Sequence, residues 1–128
     1  MITGEVSADG QAIVYLRVFG PDGQEEEVEA LVDTGFDGYL ALPAPLIALL
    51  RLRFVDYLSY LQGDGEPQLF AVHEAAVAWK PGAPPVTVLA LASNSSVALI
   101  GMALLRGYNL NIDVVDGGQV ATTELRHA

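Results

Sequence analysis

The sequence feature that most constrains the fold is an apolar run that ends on an acid, a hydroxyl and a glycine. Ala30-Leu31-Val32 is followed directly by Asp33, Thr34 and Gly35. An apolar run predicts a buried strand, and a carboxylate at the end of such a strand is partly desolvated, which costs free energy unless neighbouring groups hold it. The Thr34 hydroxyl can bond to the local backbone, and Gly35 permits a tight turn. Asp33 is therefore a candidate for chemistry, although an aspartate that merely begins a turn has the same pattern.

Length and charge bound the class of protein. The 128 residues fit one domain, 1–128, that is large enough for its own core. Hydrophobic residues make up 52% of the chain and charged residues 17%, which indicates an apolar surface covered by a second subunit. The net charge of −10, with only 6 Lys and Arg, argues against a nucleic-acid partner and against anionic membrane surfaces.

Several kinds of chemistry have no support in the sequence. The chain has no cysteine, which excludes disulfides, thiolate catalysis and cysteine-based metal sites. Its two histidines, His73 and His127, are far apart and do not form a ligand pattern, so neither a metal nor a cofactor is predicted. The serine-hydrolase elbow and the phosphate-loop motif are also missing.

One stretch raises the question of a membrane span. Residues 86–105 carry no charge, but polar Ser93–Ser96 and Gly101 interrupt them, so two buried strands explain the stretch better than a bilayer helix. The N-terminal residues lack the basic start and apolar run of a signal peptide, which predicts a cytoplasmic protein.

Short runs rich in β-branched and aliphatic residues, separated by Gly, Pro, Asp and Asn, predict a mainly all-β chain. The predicted strands are 2–6, 12–19, 27–32, 39–42, 55–61, 69–79, 86–92, 97–101, 108–115 and 119–125. Two short helices are predicted at 46–50, where Leu46, Ile47, Leu49 and Leu50 form an apolar face, and at 102–106.

A glycine-rich turn joins two of the longest predicted strands. Gly63, Asp64 and Gly65 lie between 55–61 and 69–79. They fit an ordinary β-turn, and they also fit the tip of a mobile flap, since glycine on both sides of Asp64 makes bending easy.

The sequence contains one weak internal repeat. An apolar strand, a glycine turn and a leucine-rich segment occur at 30–42 and again at 97–105. The first copy carries Asp33, whereas the second carries Leu99, Ile100 and Gly101 without an acid.

Together these features resemble the retropepsin-like (clan AA) aspartic proteases, and most of all their small bacterial and archaeal members. The matching pieces occur in the order of that family and cover most of the chain: 31–35, the hairpin around 63–65, 99–101, and 101–105 followed by 109–113. The resemblance implies a closed acid-protease β-barrel with one or two short helices and a two-fold homodimer.

The same resemblance implies a homodimeric aspartic endopeptidase. Asp33 from each chain would form the catalytic pair, Thr34 would brace the two active loops, and Gly35 would keep room around the carboxylate. Gly63–Gly65 would be a flap over a polypeptide bound as an extended strand, and Leu99-Ile100-Gly101 would be the second hydrophobic-hydrophobic-Gly motif.

Phe36 departs from the pattern of that family, which commonly has Ala or Ser at this position. A phenyl ring cannot hydrogen-bond the carboxylate, and its bulk predicts a narrower cleft. The alternative function is therefore a catalytically weak or inactive dimerisation or peptide-binding module of the same fold.

Overall fold

Ten strands and two short helices make up the part of the chain that the computed structural model describes, residues 2–61, 64–78 and 82–125. The predicted mainly-β architecture is confirmed. In chain order the elements are β1 (Ile2–Val6), β2 (Ala12–Phe19), β3 (Glu25–Val32), β4 (Leu40–Pro43), α1 (Ala44–Leu50), β5 (Arg53–Leu61), β6 (Pro67–Ala78), β7 (Val86–Ser93), β8 (Ala98–Ile100), α2 (Met102–Leu105), β9 (Tyr108–Ile112) and β10 (Gln119–Glu124).

The last predicted strand pair is shorter than expected. β9 ends at Ile112 rather than at Val115, because the following residues form a turn. The Val115 N–H donates to the Asp113 carbonyl at 2.8 Å, and the Gly118 N–H donates to the Val115 carbonyl at 2.8 Å. Residue 79, predicted to end β6, lies outside the described residues.

All ten strands belong to one sheet with the order β5-β6-β7-β4-β8-β3-β2-β1-β10-β9. An additional antiparallel pairing joins β2 to β6, with Val18 opposite Val77. Hydrogen-bonded neighbours therefore run from β2 through β3, β8, β4, β7 and β6 and return to β2. The main apolar core takes buried side chains from each of these six strands and also from β1, β10 and both helices.

The two copies of the weak internal repeat pair with each other in the fold. β3 and β8 pair in parallel, with Leu31 opposite Leu99 and Val32 opposite Ile100. β4 pairs antiparallel with the other side of β8 and places Leu40 opposite Ile100. The two glycine turns are thereby held side by side at the end of this three-stranded unit.

Helix α1 buries a narrower face than the sequence predicts. Ile47 and Leu50 are buried, Leu46 is half-buried, and Leu49 is 60% exposed. The inclusion of Leu49 in a core-facing stripe was therefore wrong. The helix has only seven residues, so the two side chains three positions apart reach the core while Leu49 points to solvent.

Among the described residues, no helix is both long and apolar enough to cross a membrane.

His73 lies on β6 between Phe54 of β5 and Ala90 of β7. Its ring meets the Phe54 ring edge-on, with centroids 5.7 Å apart, and its Nδ1 is buried without a hydrogen-bond partner in the described structure. The sequence favoured a surface or hydrogen-bonded histidine, whereas the structure shows a half-buried ring whose Nδ1 is enclosed and unpaired. Burial lowers the pKa of His73 below its ordinary value of 6.5.

This lowered pKa predicts a loss of stability at acidic pH. The unfolded chain protonates His73 more readily than the folded chain, so the folded state loses stability as the pH falls from about 6.5 toward the lowered pKa, and the loss is absent above that range. We expect His73→Phe to show a smaller drop in melting temperature than the wild type between about pH 7.5 and about pH 5.5. The two proteins differ at this one side chain, and an equal drop in both would contradict the prediction.

Candidate active site

Asp33 follows β3 directly and lies on the floor of a cleft. Its N–H donates to the Ile100 carbonyl at 2.9 Å, which ties the residue to the end of β8. One carboxylate oxygen, Oδ1, accepts the Gly35 N–H at 2.9 Å. The other oxygen has no hydrogen-bond partner in the described part of the chain. The loop therefore holds the carboxylate by one oxygen and leaves the other available.

The strand that leads to Asp33 is less buried than the sequence predicts. Leu31 and Val32 are half-buried, as is Asp33 itself, so the expected change to a fully buried strand does not occur within this chain. Leu31 pairs with Leu99, which is also half-buried and lines the cleft.

The cleft has a volume of about 840 Å³ and three walls. The loop after β3 contributes Asp33 and Phe36, the β5–β6 hairpin contributes Tyr60 and Phe70, and the end of β7 with the loop after it contributes residues 93–95. One side of the cleft is therefore apolar and aromatic, and another offers hydroxyl and amide groups. Ligand pockets commonly combine an apolar lining with a few polar groups in this way.

The charge inside the cleft is negative. Asp33 and Asp37 are the charged side chains among the described residues that line it. Burial and the nearby Asp37 carboxylate raise the pKa of the Tyr60 phenol above its usual value of 10.0, so Tyr60 keeps its proton at neutral pH.

Two hydrogen bonds hold the backbone of Phe36, which lines the cleft. Its N–H donates to the Asp33 carbonyl at 3.1 Å, and its carbonyl accepts the Met102 N–H at 2.8 Å. The half-buried Phe36 ring lines the cleft and packs against Tyr60, with ring centroids 6.2 Å apart, and the narrowing of the cleft stays a prediction.

The β5–β6 hairpin lies beside the cleft, as the flap hypothesis requires. Asp64 and Gly65 are exposed at its end, where the Glu66 N–H donates to the Asp64 carboxylate at 2.9 Å and Gly65 has a φ of 83°. Gly63 lies outside the described residues. The described hairpin residues that line the cleft are on the strands rather than at the tip: Ser59, Tyr60, Leu61, Gln68 and Phe70.

The second motif, Leu99-Ile100-Gly101, lies against the Asp33 loop. Leu99 lines the cleft, Ile100 is fully buried, and the Gly101 N–H donates to the Tyr39 carbonyl at 3.0 Å. A Cβ atom at Gly101 would lie 2.1 Å from the Gly38 carbonyl oxygen, so the close approach of the two turns requires glycine here.

Thr34 and Gly35 are exposed beside Asp33. Within the described residues the Thr34 hydroxyl has no hydrogen-bond partner. The predicted bracing role of Thr34 involves a second chain and stays a prediction.

No family model matches the sequence, and no curated protein matches it. The fold is similar to that of a retropepsin-like aspartic protease. That protease is from Rickettsia conorii, and the structural match has a TM-score of 0.55 at 21% sequence identity, covering 94% of this chain and 95% of the other. The likeness shows a shared fold over nearly the whole length of both chains.

Within this retropepsin-like fold, several cleft residues escaped the sequence-based prediction. Tyr60 and Phe70 appeared only as strand residues, residues 93–95 appeared only as part of a polar interruption, and Asp37 was not among the candidate site residues. The alternation along β5 and β6 places Tyr60 and Phe70 on one face, which is a usable signal. The sequence could not indicate that this face turns toward Asp33, because the approach depends on the β6–β7 and β4–β7 pairings.

Proposed function

We propose that this chain is a homodimeric aspartic endopeptidase that hydrolyses peptide bonds with a water molecule activated by Asp33 and its copy in the second chain. One observation carries the proposal. In a retropepsin-like fold, a half-buried carboxylate with one free oxygen stands on the floor of an open cleft.

The chemistry explains why two copies of Asp33 are needed. Hydrolysis of an amide requires one carboxylate that takes a proton from water and one carboxylic acid that donates a hydrogen bond or a proton to the carbonyl. Two carboxylates held close together cannot both ionise cheaply, so they share one proton and titrate as a pair. Aspartic proteases are the established example of such a pair.

Exposed apolar side chains support a dimer. Leu61 is 75% exposed and Leu69 is 64% exposed on the hairpin, while Val114 and Val115 are 73% and 65% exposed after β9. The exposed Thr34 hydroxyl next to Asp33 is also free to bond to a second loop. The β2–β6 pairing supports the closed barrel and the single domain, 1–128, that belong to this proposal.

The substrate in this proposal is a polypeptide bound as an extended strand. Polar groups of the cleft, Gln68 on the hairpin and Ser93 and Asn94 at the end of β7, can bond to its backbone, and the apolar wall can take its side chains. Asp64 and Gly65, with Gly63, would form a flap that closes over the bound strand. A cytoplasmic location and the absence of nucleic-acid and membrane partners stay predictions.

A peptide-binding or dimerisation module with little or no hydrolysis is the second candidate. The observation that favours it is the Phe36 ring beside Asp33, where a small or hydroxyl-bearing residue would leave room for water and a hydrogen bond.

Digestion of a denatured protein separates the two functions. The endopeptidase is expected to produce fragments at mildly acidic pH, because two carboxylates held close together must share a proton to act as base and acid. A pepstatin-like inhibitor should block this digestion. Equal inertness of the wild type and Asp33→Asn at acidic and neutral pH would favour the binding module.

The dimer has a separate test. We expect the mass from analytical ultracentrifugation to rise from that of one chain, 13.6 kDa, toward twice that value as the protein concentration increases. A mass that stays at one chain over the whole accessible concentration range would refute the Asp33 pair, whatever the activity.

A further inference from the structure

The Phe36 ring occupies a site that the rest of the fold keeps open for it. A Cβ atom at Gly38 would lie 2.6 Å from the ring, and a Cβ atom at Gly101 would also lie 2.6 Å from it. Two glycines on different turns therefore make room for one side chain. The hydrogen bond from the Met102 N–H to the Phe36 carbonyl holds the backbone at this position, so the ring has a fixed place in the cleft that Asp33 also lines.

The ring is the first member of an aromatic row that crosses the cleft. Phe36 meets Tyr60 with centroids 6.2 Å apart, and Tyr60 meets Phe70 edge-on with centroids 6.1 Å apart. This row packs against three buried side chains, Ala41, Val72 and Leu91, of which Ala41 and Leu91 also line the cleft. The apolar wall of the cleft around Phe36 is thus made of side chains that are packed against one another.

We infer that Phe36 determines specificity by limiting the size of the substrate side chain that can lie next to the Asp33 carboxylate. The preferred substrates are polypeptides with small residues, such as Gly, Ala or Ser, on either side of the bond that is cut. This inference rests on the proposed function, and it names the substrate class of the same cleft.

The physical reason is that packed side chains do not compress. A large side chain next to Asp33 would have to displace the Phe36 ring, which two backbone turns and Tyr60 hold in place. A mismatch of even one methylene in a pocket changes kcat/KM by roughly 10- to 200-fold, so a ring-sized overlap is enough to set specificity.

The test compares two peptides that differ only at the residues flanking the cleaved bond, Ala-Ala in one and Phe-Phe in the other. The cleavage site is first mapped by mass spectrometry on a denatured protein digested by the full chain. The wild type is expected to favour the Ala-Ala peptide in kcat/KM, and Phe36→Ala to lower this ratio at least tenfold. Phe36→Leu, which disturbs packing less, should shift the ratio in the same direction.

Phe54→Ala is the matched control. Phe54 is an aromatic residue of the β5–β6 hairpin and is 47% exposed. Its ring contacts Tyr57 and His73, and it does not line the cleft. Its replacement should leave the ratio for the two peptides unchanged. A wild type that favours Phe-Phe, or a ratio that Phe36→Ala and Phe36→Leu leave unaltered, would overturn the inference.

A binding measurement keeps the inference separate from hydrolysis. Fluorescence anisotropy with the labelled peptides and the Asp33→Asn variant should show tighter binding of Ala-Ala than of Phe-Phe, and Phe36→Ala in that background should reverse the order. If this order is found and the wild type cuts neither peptide, the size limit holds and the endopeptidase proposal fails. If the wild type cuts both peptides equally and Asp33→Asn binds neither preferentially, the size limit fails and the endopeptidase stands. If neither peptide is cut or bound, both the size limit and the endopeptidase proposal are overturned.

Discussion

Asp33→Asn is expected to lower peptide hydrolysis by about 10²- to 10⁴-fold while the fold and the dimer persist. Asparagine has nearly the shape of aspartate, and its Oδ1 can still accept the Gly35 N–H that the carboxylate accepts at 2.9 Å. It can neither take a proton from water nor share one with its copy. The change therefore removes the acid–base function and leaves the loop intact.

The measurement is kcat/KM on a peptide cut by the wild type, together with the sedimentation mass and the melting temperature of each variant. Asp116→Asn provides the matched control, because it makes the same chemical change at an exposed acid in the turn between β9 and β10, outside the cleft. Retention of most of the activity by Asp33→Asn would contradict the proposed role of Asp33.

Gly101→Ala is expected to destabilise the fold by about 1 to 3 kcal/mol and to lower activity as well. The added methyl group would lie 2.1 Å from the Gly38 carbonyl oxygen and 2.6 Å from the Phe36 ring. A backbone carbonyl cannot swing aside as the end of a long side chain can, so the two turns must separate. That movement would displace the hydrogen bonds that hold the Asp33 loop against β8.

Urea denaturation of Gly101→Ala and Gly107→Ala measures this effect against a matched control. At Gly107 the added methyl group meets nothing within 4 Å, but the φ of 89° is strained for alanine, which costs about 1 to 2 kcal/mol. Only Gly101→Ala should also reduce hydrolysis, since Gly107 lies after α2 and outside the cleft lining. A Gly101→Ala protein with wild-type activity and midpoint would show that the turns are not closely packed.

Much of the fold could be predicted because local patterns agree with it. Strands β1 and β2 have the predicted bounds, since their β-branched residues and the turns beside them favour the same conformation that the sheet requires. The weak repeat of 30–42 at 97–105 was visible in the sequence because each copy has an apolar strand, a glycine turn and a leucine-rich segment in the same order.

Predictions about burial were less accurate. Leu49, Leu31 and His73 each lie in a different environment from the one their local pattern favours. Burial depends on which distant element packs against a strand or helix, and local periodicity describes only the face, not its partner.

Neighbouring residues are enough to show that a carboxylate follows an apolar strand at Asp33, that Gly35 permits a turn after it, and that a second strand-and-glycine segment lacks an acid. These conclusions follow from the chemistry of residues adjacent in the chain. The contacts that hold Asp33 to Ile100, the room that Gly38 and Gly101 leave for the Phe36 ring, and the packing of Tyr60 against that ring become visible only in the folded chain. These contacts join residues far apart in the chain, and non-local strand pairing, which no short segment encodes, brings them together.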